Sequence, residues 1–330
     1  MNKYTHYFGV DVSKKTVDIT HAKENEFTHR QFTNDEAGMK ELMEWFKELD
    51  ISYPETLFCM EATGLYCFTL THFLAIHSID TWIEHAAQIK KSTAMARGKN
   101  DKVDSQRIAL YATKYPERLR LWKPVSNTLE KIKHLAALRD RLVETQKRLI
   151  TPIQEFEDIG DAAMAKLLTK SIKSSLASIE KDLKNVEVKI IDVVNEDDNL
   201  KLLYKLVTSV VGIGFVTAIN LLIHTNGFTM LKDTRKLACY CGVAPFEYSS
   251  GSSVRGKTKV HYMANKKLKC NLHMASLTAV KLDADLKHYY ERKVAEGKNK
   301  MSVLNAVKNK LLARVIAVVN KQQEYVKKTA

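Results

Sequence analysis

The stretch Lys99-Asn100-Asp101-Lys102-Val103-Asp104 places two carboxylates three residues apart at what reads as the start of a helix. On a helix, side chains i and i+3 share one face, so Asp101 and Asp104 can converge on a single point. Early-turn acids also simply complement the positive end of a helix. Two further acids answer them, each at the end of an expected strand: Asp11 in Phe8-Gly9-Val10-Asp11-Val12-Ser13-Lys14 and Glu61 in Leu57-Phe58-Cys59-Met60-Glu61-Ala62-Thr63-Gly64. Four acids from three separated segments suggest a metal site.

Working outward, residues 6 to 33 read as a meander of three strands, His6 to Val12, Thr16 to His21 and Glu26 to Phe32. Asn34 is suited to cap a helix carrying Met39, Leu42, Met43, Phe46 and Leu49 on one face, and Pro54 follows it. A buried strand (Thr56 to Met60), a helix (Tyr66 to Ser78) and another strand (Thr81 to Glu84) come next. Strands feeding helices imply a mixed sheet with parallel members, and ligands collect at the carboxyl ends of such strands. Asp11 and Glu61 lie at those ends.

After Trp122-Lys123-Pro124 the sequence becomes long, charged and helical. Leu135, Leu138, Leu142 and Leu149 keep a rough heptad until Pro152, which is expected to interrupt it. Ile172, Leu176, Ile179, Leu183, Val186, Ile190 and Val193 alternate four and three, a coiled-coil seam folded back within one chain or shared between two. Ser209-Val210-Val211-Gly212-Ile213-Gly214-Phe215 has the pattern of a helix-hairpin-helix, in which Gly212 and Gly214 let a DNA phosphate reach free backbone N–H groups. A plain packing joint between two helices is the other reading.

The chain has 330 residues, 45% of them hydrophobic, enough for two domains with ordinary cores. Its 52 Lys and Arg against 38 Asp and Glu leave a net charge of +14, which points to nucleic acid before an anionic membrane. No apolar run approaches the roughly 20 residues of a spanning helix. An N-terminus without a signal-peptide core and an odd number of cysteines, five, fit a cytoplasmic, nucleoid-associated protein. Between Glu247 and Asp283 there is no acid, while Arg255, Lys257, Lys259, Lys266, Lys267, Lys269 and Lys281 supply +7. This basic run surrounds Tyr248-Ser249-Ser250-Gly251-Ser252-Ser253-Val254-Arg255-Gly256, read as an exposed loop to which phosphate is drawn. A final helix, Met301 to Val319, closes the core of this part.

All-carboxylate donors suit Mg2+ better than zinc. Taken alone, the acids describe a ribonuclease-H-like nuclease that activates water. Serine in the loop adds a second chemistry, since attack on a phosphodiester conserves bond energy in a phosphoserine ester and permits religation.

The motifs Gly9-Val10-Asp11-Val12-Ser13-Lys14, Met60-Glu61-Ala62-Thr63-Gly64-Leu65-Tyr66, Lys99 to Asp104, Val211-Gly212-Ile213-Gly214 and Ser250-Gly251-Ser252-Ser253-Val254-Arg255-Gly256 follow one another in an order that resembles the DEDD transposases of bacterial insertion sequences, the family numbered one hundred and ten. That resemblance implies an α/β plus α chain. Its parts are a RuvC-like (RNase H-like) domain at 1–125, a coiled-coil segment at 126–200 and a mainly helical transposase domain at 201–330. By motif, Asp11, Glu61, Asp101 and Asp104 are the catalytic, Mg2+-holding tetrad and Ser250 the nucleophile, with Ser249 an adjacent hydroxyl. Gly212, Gly214, Ser252, Ser253, Arg255, Lys257, Lys259, Lys266, Lys267 and Lys269 are the expected nucleic-acid contacts. Asn100 stands where the family often has Thr, and Ser105 where it often has Ala; neither change removes a carboxylate. The implied function is recombination of donor and target DNA, guided by a bridge RNA, in a homodimer or tetramer in which one protomer's acids work with another's serine. A hydrolytic RuvC-like nuclease or Holliday-junction resolvase is the alternative.

Overall fold

The computed structural model describes residues 3–24, 26–62, 64–92, 100–124, 126–250 and 254–326. The chain forms two compact units, Met1–Pro124 and Val125–Ala330.

In the first unit, β1 (His6–Val12), β2 (Thr16–Lys23) and β3 (Glu26–Thr33) make the antiparallel meander. After α1 (Glu36–Glu48) comes β4 (Thr56–Glu61), then a 3-10 turn at Gly64–Cys67, α2 (Phe68–Ile76) and β5 (Asp80–Glu84). The strands β4 and β5 are parallel to β1, so the sheet is mixed, in the order β3-β2-β1-β4-β5. Two helices complete the unit, α3 (Ala86–Ser92) and α4 (Asp101–Lys114). This five-stranded arrangement is consistent with a RuvC-like domain.

Strand alternation gives the sheet two apolar faces. Phe8, Val10, Val17 and Ile19 pack with Leu42, Trp45 and Phe46 of α1 and Leu70 and Leu74 of α2. Tyr7, Leu57, Cys59 and Trp82 pack on the other face with Ile108, Ala109 and Tyr111 of α4. The α1 cap differs from the expectation: Asp35 accepts from Gly38 N, while the Asn34 amide donates to the carbonyls of Ser13 and Tyr66. Asp35 lies one residue closer to the first helical turn, and Asn34 is spent tying three loops together.

The second unit opens with two long helices, α5 (Asn127–Asp158) and α6 (Ala162–Asn195), which pack antiparallel as a hairpin within one chain, with Arg139 Nε 2.6 Å from Glu187 Oε1. The four-three residues of α6 are half-buried from Ile172 to Leu183 and buried at Val186 and Ile190. Pro152 does not interrupt α5. Its ring removes one backbone bond, and the buried residues on either side, from Leu129 to Ile153, keep the helix whole. The rest is α7 (Asp198–Thr208), α8 (Phe215–Thr225), α9 (Thr234–Tyr240), β6 (Phe246–Ser250), β7 (Val254–Lys259), α10 (Lys266–Leu282), α11 (Ala284–Ala295) and α12 (Lys300–Lys321). One core joins the hairpin's Ile132 and Ile190 to Leu206, Leu222, Leu237, Leu272, Leu311 and Val315. The serine segment, expected as a loop, is a two-stranded antiparallel hairpin in which Ser249 pairs with Arg255 and Ser250 with Val254. Among the described residues no helix is long and apolar enough to cross a membrane.

Candidate active site

The acids of the first unit are set by sheet register. Asp11 is the cross-strand partner of Asp18, Asp18 of Gln31, and Glu61 of Glu84. Val10 pairs with Met60 in the parallel β1–β4 ladder, which makes Asp11 and Glu61 the next neighbours. Neighbouring strands lie about 4.8 Å apart, so the row Gln31, Asp18, Asp11, Glu61, Glu84 crosses the sheet on one face. That face also carries Gly9, and Gly9 brings α4 down upon it: a Cβ at this position would run into Ala109 N and the Ser105 carbonyl. Thr20 and Ser105 hydroxyls, 2.8 Å apart and buried, fasten the same contact. With Asn100 accepting from Val103 N at 2.8 Å, the first turn of α4 starts at Asp101 and presents Asp101 and Asp104 to the row.

The electrostatics follow from this placement. Burial, then Asp101, Asp104, Glu61 and Asp18, push the Asp11 carboxyl up to about 6. Asp104 is partly compensated by Arg107 at 2.9 Å. Asp18 is buried and accepts from His29 Nε2 and Gln31 Nε2, both at 2.9 Å. Glu84 accepts from Tyr111 Oη at 3.2 Å and from His85 N at 2.7 Å. Asp18 and Glu84 escape a reading by motif, because only the register places them beside Asp11 and Glu61. Among the described residues no group of three or more His, Cys, Asp or Glu side chains is drawn tightly enough to hold a metal ion by itself. Mg2+ does not need such a cage, since it commonly takes one or two carboxylates with water and substrate phosphate. An all-oxygen donor set around an acid whose proton is held by burial and then by neighbouring negative charge fits that ion.

In the second unit, Ser250 is the last residue of β6. The expected contacts Ser252 and Ser253 lie outside the described residues, as do the side chains of Ser250, Arg255, Lys257 and Lys259. Lys266, Lys267 and Lys269 fall in the first turn of α10 behind the cap Asn265, and Lys267 is engaged in an ion pair with Asp140. The two glycines between α7 and α8 differ. Gly212 has φ +95° and lies against α10, where a Cβ would stand 2.6 Å from Ala275 O and 2.7 Å from Ala279 Cβ; Gly214, the residue before α8, faces open space. Close helix packing therefore accounts for Gly212.

Two transposase family models match the chain. One, for the DEDD transposases of IS110, matches residues 8–156; the other, for transposases of the IS116/IS110/IS902 family, matches residues 204–291. The chain belongs to the IS110 family of transposases. It is 26% identical over 326 residues, 98% of each chain, to the pilin gene-inverting protein of Moraxella bovis, and to the same degree to that of Moraxella lacunata. To the transposase for insertion sequence element IS1111A of Coxiella burnetii it is 24% identical over 253 residues, 69% of this chain and 68% of the relative. As a member of this family the protein is an enzyme of DNA transposition and recombination.

Proposed function

We propose that this transposase cuts and rejoins DNA through a covalent phosphoserine intermediate on Ser250, with Mg2+ held by Asp11, Glu61, Asp101 and Asp104 and with a bridge RNA choosing the sites. The observation that supports the reading is that Asp11 and Glu61 stand side by side at the carboxyl ends of β1 and β4, with Asp101 and Asp104 in the first turn of α4 close enough to act on the Asp11 carboxyl. In each step the Ser250 oxygen forms a bond to phosphorus, the bond from phosphorus to a deoxyribose oxygen breaks, and the serine proton leaves to solvent as the departing hydroxyl gains one. Attack by a deoxyribose hydroxyl on the phosphoserine reverses the exchange and seals the strand. When bound, the cation withdraws charge from the scissile phosphate. The acids hold it and orient the strand, and Arg107 limits the negative charge of Asp104.

The gene-inverting activity for which the two Moraxella relatives are named supports rejoining over degradation, since an inversion requires every strand that is cut to be resealed. Domain roles follow: 1–125 for the acids, 126–200 for coiled-coil coupling between protomers, and 201–330 for the nucleophile and a helix-hairpin-helix around Gly212 and Gly214. The protein works in the cytoplasm, at the nucleoid, as a homodimer that forms a tetramer on two duplexes. Lysine and arginine grip backbones while base pairing to the RNA supplies sequence. Nicked suicide substrates test the reading. Ser250→Ala is expected to abolish the protein–DNA adduct, and Asp101→Asn or excess chelator to slow cleavage at least a hundredfold, on the order of the loss when one stabilising group is removed. Normal cutting by Ser250→Ala with no adduct in the wild type favours the hydrolytic nuclease or junction resolvase.

A further inference from the structure

Lys308 lies in the middle of α12 and is 5% exposed, a burial that lysines rarely reach unless paired. Among the described residues it makes no hydrogen bond and no ion pair. The ionisable groups that act on it are another cation, Lys269, and the Cys270 thiol, both of α10. Burial, followed by Lys269, lowers the Lys308 pKa from the usual lysine value. The flanking polar groups of α12 are not free to help: Asn305 and Asn309 both donate to the Val243 carbonyl, at 2.7 and 2.9 Å. Lys269 is half-buried, its stem 3.5 Å from where a Cβ on Gly242 would stand. Gly242 and Val243 stand shortly before β6, so the Lys269 stem and the turn of α12 that carries Lys308 both approach the foot of the serine hairpin. A buried cation beside a second cation is costly for folding unless an anion completes the site.

We propose that Lys308 and Lys269 form a notch for one backbone phosphate of a nucleic acid, at the foot of the β6–β7 hairpin. The notch rests on the chain's activity on DNA and is independent of which serine reacts.

The full chain, wild type and Lys308→Met, is melted in inorganic phosphate and in chloride at matched ionic strength. Its affinity for a DNA duplex and for RNA of the same sequence is then measured across salt. Phosphate is expected to raise the melting temperature of wild type above that in chloride and to leave Lys308→Met unmoved. Without phosphate Lys308→Met should melt higher than wild type, because a desolvated charge is gone, and its slope of log affinity against log salt should fall by about 1. Whichever polymer loses slope supplies the phosphate. Lys308→Arg should keep the slope. A Lys308→Met protein that melts lower and binds with unchanged slope overturns the notch, as does equal stabilisation of both proteins by phosphate. Should Lys308→Met fail to fold, the wild-type phosphate titration and Lys269→Met decide by the same criteria.

Discussion

Asp11 is an acid that the folded chain holds at a disadvantage. Its carboxyl stands at about 6, above the ordinary 3.8, so the folded state keeps a proton that the unfolded state has released. Wild type therefore loses stability as pH rises through that window. In protein stripped of divalent ions, Asp11→Asn should melt higher than wild type above about pH 6, and it should lose the gain in melting temperature that magnesium gives wild type. A lower melting temperature at pH 8 would show that the neighbouring acids are already compensated. His21 has the opposite sign. It is buried, 3.0 Å from His6 Nδ1 and stacked on Phe8 at 4.7 Å; burial, then His6 and Lys23, bring its pKa down to about 4 from 6.5. Its contribution is present above pH 6.5 and lost as pH falls toward 4, on the order of 3 kcal/mol. Denaturant titrations at pH 7 and 4.5 should show that loss in wild type and a smaller one in His21→Gln.

At the scale of elements, the acid site depends on how closely α4 rests on β1. Gly9→Ala drives a methyl into the α4 backbone, which cannot yield as a side chain can. The expected cost is about 3 kcal/mol or more, at the upper end of overpacking effects, with loss of strand cleavage; an unchanged melting temperature would mean that α4 is not held there. The strands, the start of α4 near Asp101 and the placing of Asp11 and Glu61 at strand ends were legible in the sequence, because alternation and turn signals are local. Other features depend on distant partners. Asp18 looks like any strand acid until β1 and β3 are paired beside it, and Glu84 until β4 is placed. Asn34 was as good a cap as Asp35 by residue type, and only the position of Ser13 and Tyr66 decides between them. Pro152 reads as a helix breaker because the packing that carries α5 past it comes from the second helix of the hairpin. The serine segment, rich in turn residues, reads as a loop because strand pairing between Ser249 and Arg255 leaves no apolar alternation.

The proposed reaction would divide its chemistry between the two units, the acids in one and the serine hairpin in the other. Each unit has its own core, so residues 125–330 expressed alone should give a helical spectrum and a cooperative melt; a molten, non-cooperative fragment would contradict the division. The hairpin of α5 and α6 buries its seam most deeply at Val186 and Ile190, while Val143 and Leu167, nearer the turn, remain 38% and 57% exposed. If that end couples protomers, sedimentation should give a dimer for the wild type and a monomer, with unchanged melting temperature, for Val143→Lys with Leu167→Lys. A dimer in both would place the coupling elsewhere.

The covalent bond itself is the most direct test of the account. Wild-type protein trapped on a nicked suicide substrate with magnesium, digested and sequenced by mass spectrometry, should yield one DNA-linked peptide, with the phosphate on Ser250. Cleaved DNA with free ends and no linked peptide, or a linkage to a residue outside the β6–β7 hairpin, would contradict it.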